Sequence, residues 1–537
     1  MHCSKNDFAF GQASMEFIAG FVDGSSSPST PDFNAIKLLT IQHHILQQMQ
    51  SWEIIKDCAG SSHSYDSIVK INTETGPITT AEETAKATNN FFNNAAKNVK
   101  TEGINTIASF KTKKSLGYEG ISNIILKHCV KATNKPFTYT CNFSLSYGTF
   151  PDRCKYALVI PVYKRGDIAN RPNYRPISLL LSLSKVLEIM MFNRSNHLHS
   201  NRIIASEQFG FRNGITTENA IFSLINTMLT SLNNKQLIAG LFCDLSKAFD
   251  SVSHSILLQQ FAYYGARGTC HNWFKYYLTN RQQKEIISNS GENSSSNWEI
   301  VTNGVPQGLV LGPLQFLISI NDLPHKINYI AKPVIYADGT SILVNATDIT
   351  ELQTKINDSI HHTYEWFSVN RLTVNFDKTN TIKFRSKKGK EIHNCFSYHN
   401  SIIKESNNIK FLGLELDKFL NWKKHIDRLL PKLSTACFVI RTMSSYSNIP
   451  TLKMIYVPHF HSLLEYGIVF WDNSTGSVKV FKLQKRIIRL MTGSNARTSC
   501  RPLFPKLGIM TSSSQYIFSL MRFLSHNVEL YTFNSTT

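Results

Sequence analysis

Two short segments each set an acidic residue at the end of an apolar strand. The first is Leu241-Phe242-Cys243-Asp244-Leu245-Ser246-Lys247-Ala248-Phe249-Asp250, and the second is Val334-Ile335-Tyr336-Ala337-Asp338-Gly339-Thr340. Carboxylates placed this way suit two-metal phosphoryl transfer, in which divalent ions ~3.5–4 Å apart activate an attacking 3′-hydroxyl and steady a leaving pyrophosphate. A single strand-end aspartate is more often a turn former or cap, so the case depends on what surrounds the pair. Asp250 and His254, spaced i and i+4, invite a second catalytic reading, but a structural contact at a helix start accounts for them better.

The elements that must hold these residues follow from periodicity. Tyr156 to Tyr163 is β-branched and apolar and reads as a strand, as does Gln236 to Leu245. Ser178 to Leu198, Thr217 to Leu232 and Val252 to Tyr264 read as helices. Asp338-Gly339 between two apolar runs signals a type I′ hairpin with Asp338 at its tip. Helices interleaved with an antiparallel hairpin predict an α+β fold, a sheet layered with helices. After Asn421 the helical period dominates. In Val480 to Met491, Val480, Leu483, Ile487 and Leu490 form one stripe, while Lys479, Lys482, Lys485, Arg486 and Arg489 occupy the neighbouring face. That face is either a solvated surface or one that tracks phosphates.

Toward the N-terminus, Asp23 to Pro31 reads as a turn-rich linker and Ile36 to Ile55 as a helix. Ser67 to Ile71 reads as a short strand, and Thr80-Ala81-Glu82-Glu83 has capping-box order.

The chain is 537 residues long, 42% hydrophobic and 18% charged, with a formal net charge of +20. Such a composition is globular, and the excess of cations favours a polyanionic partner, nucleic acid first. A membrane is not expected: no apolar run approaches the ~18–20 residues of a spanning helix, and the N-terminus lacks a signal-peptide layout. The protein is therefore read as intracellular. Arg385-Ser386-Lys387-Lys388-Gly389-Lys390 serves either as a nuclear-import patch or as a plain solvated loop. Ten cysteines without a CxxC pair indicate neither a zinc finger nor a disulfide framework.

Around the two aspartates stand further segments in a fixed order. Tyr163-Lys164-Arg165-Gly166-Asp167 precedes Asn173-Tyr174-Arg175-Pro176-Ile177-Ser178-Leu179, then Gln208-Phe209-Gly210-Phe211-Arg212 and the Asp244 segment. Asn303-Gly304-Val305-Pro306-Gln307-Gly308-Leu309 follows, then the Asp338 hairpin, then Phe411-Leu412-Gly413-Leu414. From residues 113 to 495 this order resembles the reverse transcriptase domain of non-LTR (LINE-type) retrotransposons, and the C-terminal stretch is most similar to the jockey-like branch.

The resemblance implies a right-hand polymerase: an N-terminal linker and accessory helices at 1–110, fingers and the start of the palm at 111–240, the palm with its catalytic motifs and primer grip at 241–415, and a helical thumb with a C-terminal extension at 416–537. It implies that Asp244 and Asp338, with the main-chain carbonyl of Leu245, hold two magnesium or manganese ions. Phe249 would lie under the incoming sugar, although its spacing also suits an ordinary core aromatic. Gln307 and Gly308 would contact the nucleotide, with Lys164 and Arg175 on its triphosphate and Lys378 near pyrophosphate; each of these three cations also suits a plain solvated surface. Phe411, Leu412 and Gly413 would grip the primer, and Lys482, Lys485, Arg486 and Arg489 would face primer and template. The implied partners are an RNA template, a DNA primer and deoxynucleoside triphosphates.

The pattern breaks at Gly339, where the family carries a second aspartate. Glycine supplies no ligand, and the neighbouring Thr340 and Ser341 offer only neutral hydroxyls. Leu309 stands where a small serine is usual, and Gln315 interrupts an apolar helix. Leu116-Gly117-Tyr118-Glu119-Gly120 matches a Gly-x-Asp-Gly turn only loosely. With no room for an endonuclease upstream, the chain reads as a truncated element copy of impaired activity. The alternative is a catalytically inactive, basic RNA- or DNA-binding remnant of the same fold.

Overall fold

Alternating burial and β-branched runs give the described residues two five-stranded sheets, each layered with helices, in a computed structural model. The structure describes residues 71–73, 76–78, 99–110, 116–195, 198, 203–289, 292–386, 396–398 and 401–527. The expected helix at Ile36 to Ile55, the capping box at Thr80 and most of the 385–390 basic run lie outside them. At residue 71 a short hairpin begins, Ile71–Thr73 pairing with Gly76–Ile78.

In chain order the main elements are α1 (Asn123–Tyr147), β1 (Tyr156–Tyr163), β2 (Tyr174–Leu180), α2 (Ser182–Arg194), α3 (Thr217–Asn233) and β3 (Leu237–Cys243). Next come α4 (His254–Tyr263), α5 (Gly268–Leu278), β4 (Arg281–Asn289), β5 (Glu292–Ser295), α6 (Leu311–Ser319), β6 (Lys332–Tyr336) and β7 (Gly339–Ala346). The rest are β8 (Asn380–Phe384), β9 (Lys404–Glu405), β10 (Asn408–Phe411), β11 (Leu414–Asp417), α7 (Lys423–Met443), α8 (Ser477–Met491) and α9 (Ser512–His526). The expectation of a helix from Ser178 is corrected at its start. Ser178–Leu180 extend β2 and pair with Val159, Leu158 and Ala157 of β1, so α2 begins only at Ser182. The apolar content there serves a strand ladder, which a helical period read over a short window cannot distinguish.

The chain divides into two compact units interleaved in sequence. The first takes the described residues up to Ser206 together with Lys247–Asp322 and Phe367–Thr373. Its sheet runs β2-β1-β4-β5, with Glu299–Val301 also paired to β4. Its helices bury Val186, Leu187, Leu257, Phe261, Trp273, Phe274, Leu314 and Phe316. Leu309 is buried against Ala157 and Leu180. Gln315 is 0% exposed with neither amide atom hydrogen-bonded. An unmet amide of this kind costs on the order of 1–3 kcal/mol.

The second unit takes Glu207–Ser246, Leu323–Trp366 and the described residues from Val374 onward. Its sheet runs β9-β8-β3-β7-β6, antiparallel except for β8 with β9. One hydrophobic cluster joins Ala220, Leu224 and Met228 of α3 to Ile238, Leu343 and Ile382 in the sheet. It continues through Leu414, Ile426 and Leu433 to Ile487 and Ile488 of α8. β3 is buried along its length because it lies at the centre of this sheet under α3.

Candidate active site

In the second unit, β3 pairs antiparallel with β7 in a register that sets Cys243 across from Thr340. Continued by one residue, the register brings Asp244 opposite Gly339, with Asp338 one position further in the turn. Neighbouring strands lie ~4.8 Å apart, so the two aspartates end adjacent strands of one sheet. Asp338 does sit at the hairpin tip, but the turn differs from expectation. Tyr336 pairs with Gly339, leaving Ala337 and Asp338 as the central residues. Only Ala337 has positive φ, at 54°, a II′-like pattern instead of I′.

The reason lies in Gln208, which is 2% exposed. Its Oε1 accepts from the N–H of Ala337 at 3.1 Å and that of Gly210 at 2.8 Å. Phe209 N–H donates to Ile335 O, and Ile335 N–H to Glu207 O, both at 2.8 Å, so the Gln208 segment lies along β6 as a short parallel bridge. A Cβ on Gly210 would stand 2.4 Å from Ala337 N. The Gln-Phe-Gly segment is thus a clamp on the aspartate turn, a role its sequence alone did not disclose.

Gly339 is released from any glycine requirement by this register. It lies outside the positive-φ glycines, and an added Cβ would meet only Tyr336 O at an ordinary 3.5 Å. Its backbone therefore accepts an aspartate.

Lys378 comes to Asp244 through a turn. Asn375 N–H donates to Asp244 O at 2.8 Å, and Lys378 Nζ reaches Asp244 Oδ2 at 3.0 Å. The side chains are 48% and 35% exposed respectively. A pair this exposed is worth ~0–1 kcal/mol and yields readily to a stronger cation. Leu245, buried beyond Asp244, bridges Val374. Carboxylates with a main-chain carbonyl are the hard oxygen donors that magnesium takes. In type the residues fit such an ion; in number they fall short. Among the described residues no group of three or more His, Cys, Asp or Glu gathers where a metal could be held.

Phe411-Leu412-Gly413-Leu414 forms the β10–β11 turn in the same unit. Phe411 pairs with Leu414, and Leu412 and Gly413 have φ of 42° and 90°, the I′ pattern. The Tyr466 hydroxyl donates to Leu412 O. On α8, Lys482 and Arg486 are exposed, one turn apart. Lys485 lies over the Phe481 ring at 4.6 Å, and Arg489 Nε donates to Thr498 O at 2.7 Å. The four cations thus separate into two facing solvent and two engaged in packing the helix.

The first unit gathers the remaining residues. Lys164 N–H donates to Asn173 O at 2.8 Å, and Arg175 pairs across from Val162. Lys164 and Arg175 are therefore diagonal neighbours on one face of the β1–β2 hairpin, both exposed. Gln307 is tied to β2 by Ser178 N–H donating to its carbonyl at 3.0 Å. Gly308, at φ 91°, packs its backbone near Ile177. Phe249 stacks on Phe316 with centroids 4.7 Å apart.

Asp250 and His254, expected to meet at the helix start, both bind the Asn303–Gly308 loop. Gln307 Nε2 donates to Asp250 Oδ1 at 3.0 Å, and His254 Nε2 stands 2.7 Å from Gly304 O. A carbonyl only accepts, so Nε2 carries the proton; burial pushes the imidazole below its usual pKa. Beyond the loop, buried Glu188 takes Val310 N–H at 3.0 Å and the Tyr277 hydroxyl at 2.8 Å, and burial raises its carboxyl pKa. That pins the start of α6. No helix among the described residues is long and apolar enough to cross a membrane.

Residues 162–416 match the family described as reverse transcriptase (RNA-dependent DNA polymerase). Among curated relatives, "Probable RNA-directed DNA polymerase from transposon BS" of Drosophila melanogaster is 28% identical over 410 residues, covering 73% of this chain and 44% of that protein. "RNA-directed DNA polymerase from mobile element jockey" of Drosophila funebris is 26% identical over 425 residues, covering 75% and 45%. The chain spans less than half the length of either relative. Among solved structures, apo telomerase from Candida tropicalis aligns at 12% identity with a TM-score of 0.37, covering 72% of this chain and 67% of that one.

Proposed function

We propose that this chain, whose residues 162–416 are a reverse transcriptase domain of the non-LTR retrotransposon kind, is built to extend a DNA primer on an RNA template and has lost most of that activity at Gly339. The observation carrying this reading is the Cys243–Thr340 register, which ends two neighbouring strands in Asp244 and Asp338. In the reading, 111–240 act as fingers and the start of the palm, 241–415 as palm and 416–537 as thumb and C-terminal extension, with 1–110 as a linker and accessory region.

Reverse transcriptases use divalent metal; here Asp244, Asp338 and the Leu245 carbonyl would hold magnesium or manganese, which when bound would offset charge on the reacting phosphate. Lys378 keeps Asp244 neutralised between turnovers. Lys164 offers a point charge and Arg175 a planar fork to the triphosphate. Phe249, backed by Phe316, gives the sugar a firm floor, and Gln307 and Gly308 line the nucleotide. Phe411, Leu412 and Gly413 take the primer end, and Lys482 and Arg486 track phosphates, with Lys485 and Arg489 holding their helix in place.

A missing carboxylate at position 339 is expected to cost roughly three orders of magnitude in rate. Primer extension on an RNA template in magnesium or manganese, with wild type, Gly339→Asp and Asp244→Asn side by side, tests this. Recovery in the Gly339→Asp chain alone is expected; silence from that chain rules out the polymerase reading.

Gly339 also favours a second reading, in which the domain survives as an inactive basic nucleic-acid-binding protein. It predicts RNA or DNA binding that weakens linearly in log affinity with log salt. No binding at low salt would dispose of it.

A further inference from the structure

The hydrogen bond between Gln307 and Asp250 carries more than loop packing. An amide side chain has two chemically opposite ends and rotates between them unless a neighbour fixes it. Asp250, as a carboxylate, only accepts; Gln307 must therefore turn its NH2 toward Oδ1, at 3.0 Å, and present Oε1 on the other side. Both residues stand on supports that hold them still. Asp250 N–H donates to Lys247 O at 2.9 Å inside the short turn Ala248–Ser251, and the Gln307 backbone is bound to β2 through Ser178. The segment between them is fastened at Gly304 N–H to Val252 O and at Val305 N–H to Phe249 O, both 2.7 Å. Gly304, at φ 87°, sits so close that a Cβ would meet Asp250 O at 2.8 Å.

We infer that Asp250 is a positioning residue which sets the Gln307 amide so that a hydrogen-bond acceptor faces the nucleotide, making the loop select for a ligand that offers a donor there. This rests on the one part of the proposed function in which Gln307 meets the nucleotide. Asp250→Asn is isosteric but lets the new amide donate as well as accept, freeing Gln307 to turn over.

The test is a double-mutant cycle on the full chain carrying Gly339→Asp, with primer–template present, reading dTTP affinity by equilibrium dialysis and KM against kcat by extension. Asp250→Asn is expected to weaken dTTP about tenfold, with kcat and thermal stability little changed. In a Gln307→Leu background the same change is expected to have no effect, because its target is gone. An equal loss in both backgrounds, or none in either, overturns the inference while leaving the polymerase reading standing. If dTTP binds and the cycle holds but no primer is extended, the polymerase reading falls and the positioning role stands. A chain that binds no dTTP overturns both.

Discussion

Two tight hairpins in the second unit solve the same backbone problem by different means. The Tyr336–Gly339 turn places a buried alanine at φ 54°, although a glycine stands two residues away. The Phe411–Leu414 turn puts its glycine where φ reaches 90°, as local chemistry prefers. What separates them is the origin of the clamp. The Gln208 side chain takes the Ala337 N–H while Glu207 and Phe209 pair with Ile335, all from far upstream, and this tertiary pairing overrides the Asp-Gly preference for the centre of a I′ turn. Tyr466 gives Leu412 a single hydroxyl, which reinforces a turn the residues already favour. The aspartate turn is thus fixed from a distance, and its own residues are freed to be chosen for other reasons.

The contrast is open to attack from its strongest point. Gly210→Ala forces a Cβ within 2.4 Å of the Ala337 backbone and should cost about 3 kcal/mol or more, read by urea denaturation. Should it be neutral, the clamp is not what sets the aspartate turn. Next, Gln208→Leu leaves the Ala337 and Gly210 N–H groups without their acceptor and should cost about 2–3 kcal/mol.

The second hairpin has its own weak point in acid. His425 Nδ1 accepts from Glu415 N–H of β11 at 3.4 Å, and burial, helped by Lys432, holds its pKa down at about 4. The unfolded chain, at about 6.5, binds the proton more readily. Stability should therefore fall as pH drops from about 6.5 toward 4 and level off below, by about 1–3 kcal/mol. Denaturation curves at several pH values should show His425→Phe flattening that decline; an unchanged slope would remove His425 as its cause.

Gly413→Ala is expected to cost about 1–2 kcal/mol, since φ is 90° and the Cβ would press the Tyr466 ring at 3.0 Å. Gly339→Ala, by contrast, should fall within about 0.5 kcal/mol of wild type. Thermal melts of the two variants together decide whether one glycine is structural and the other is not.

Much of the site was legible beforehand because its logic is local or linear. Asp244 at the end of a buried run and Asp338 at a hairpin tip follow from period and turn chemistry, and both hold. Where the reading slipped, a distant partner decided. Ser178–Leu180 look helical until β1 pairs with them, and Asp250 with His254 look like a helix-start contact until the Asn303–Gly308 loop arrives.

By itself the sequence determined which residue stands at each position and their order along the chain, with Gly339 directly after Asp338, because identity and order are covalent facts. The tertiary structure alone decided which of them meet. Hydrogen bonds and strand pairing act through space, so Gln208 found Ala337, Lys378 found Asp244 and Asp250 found Gln307 only once the chain had folded between them.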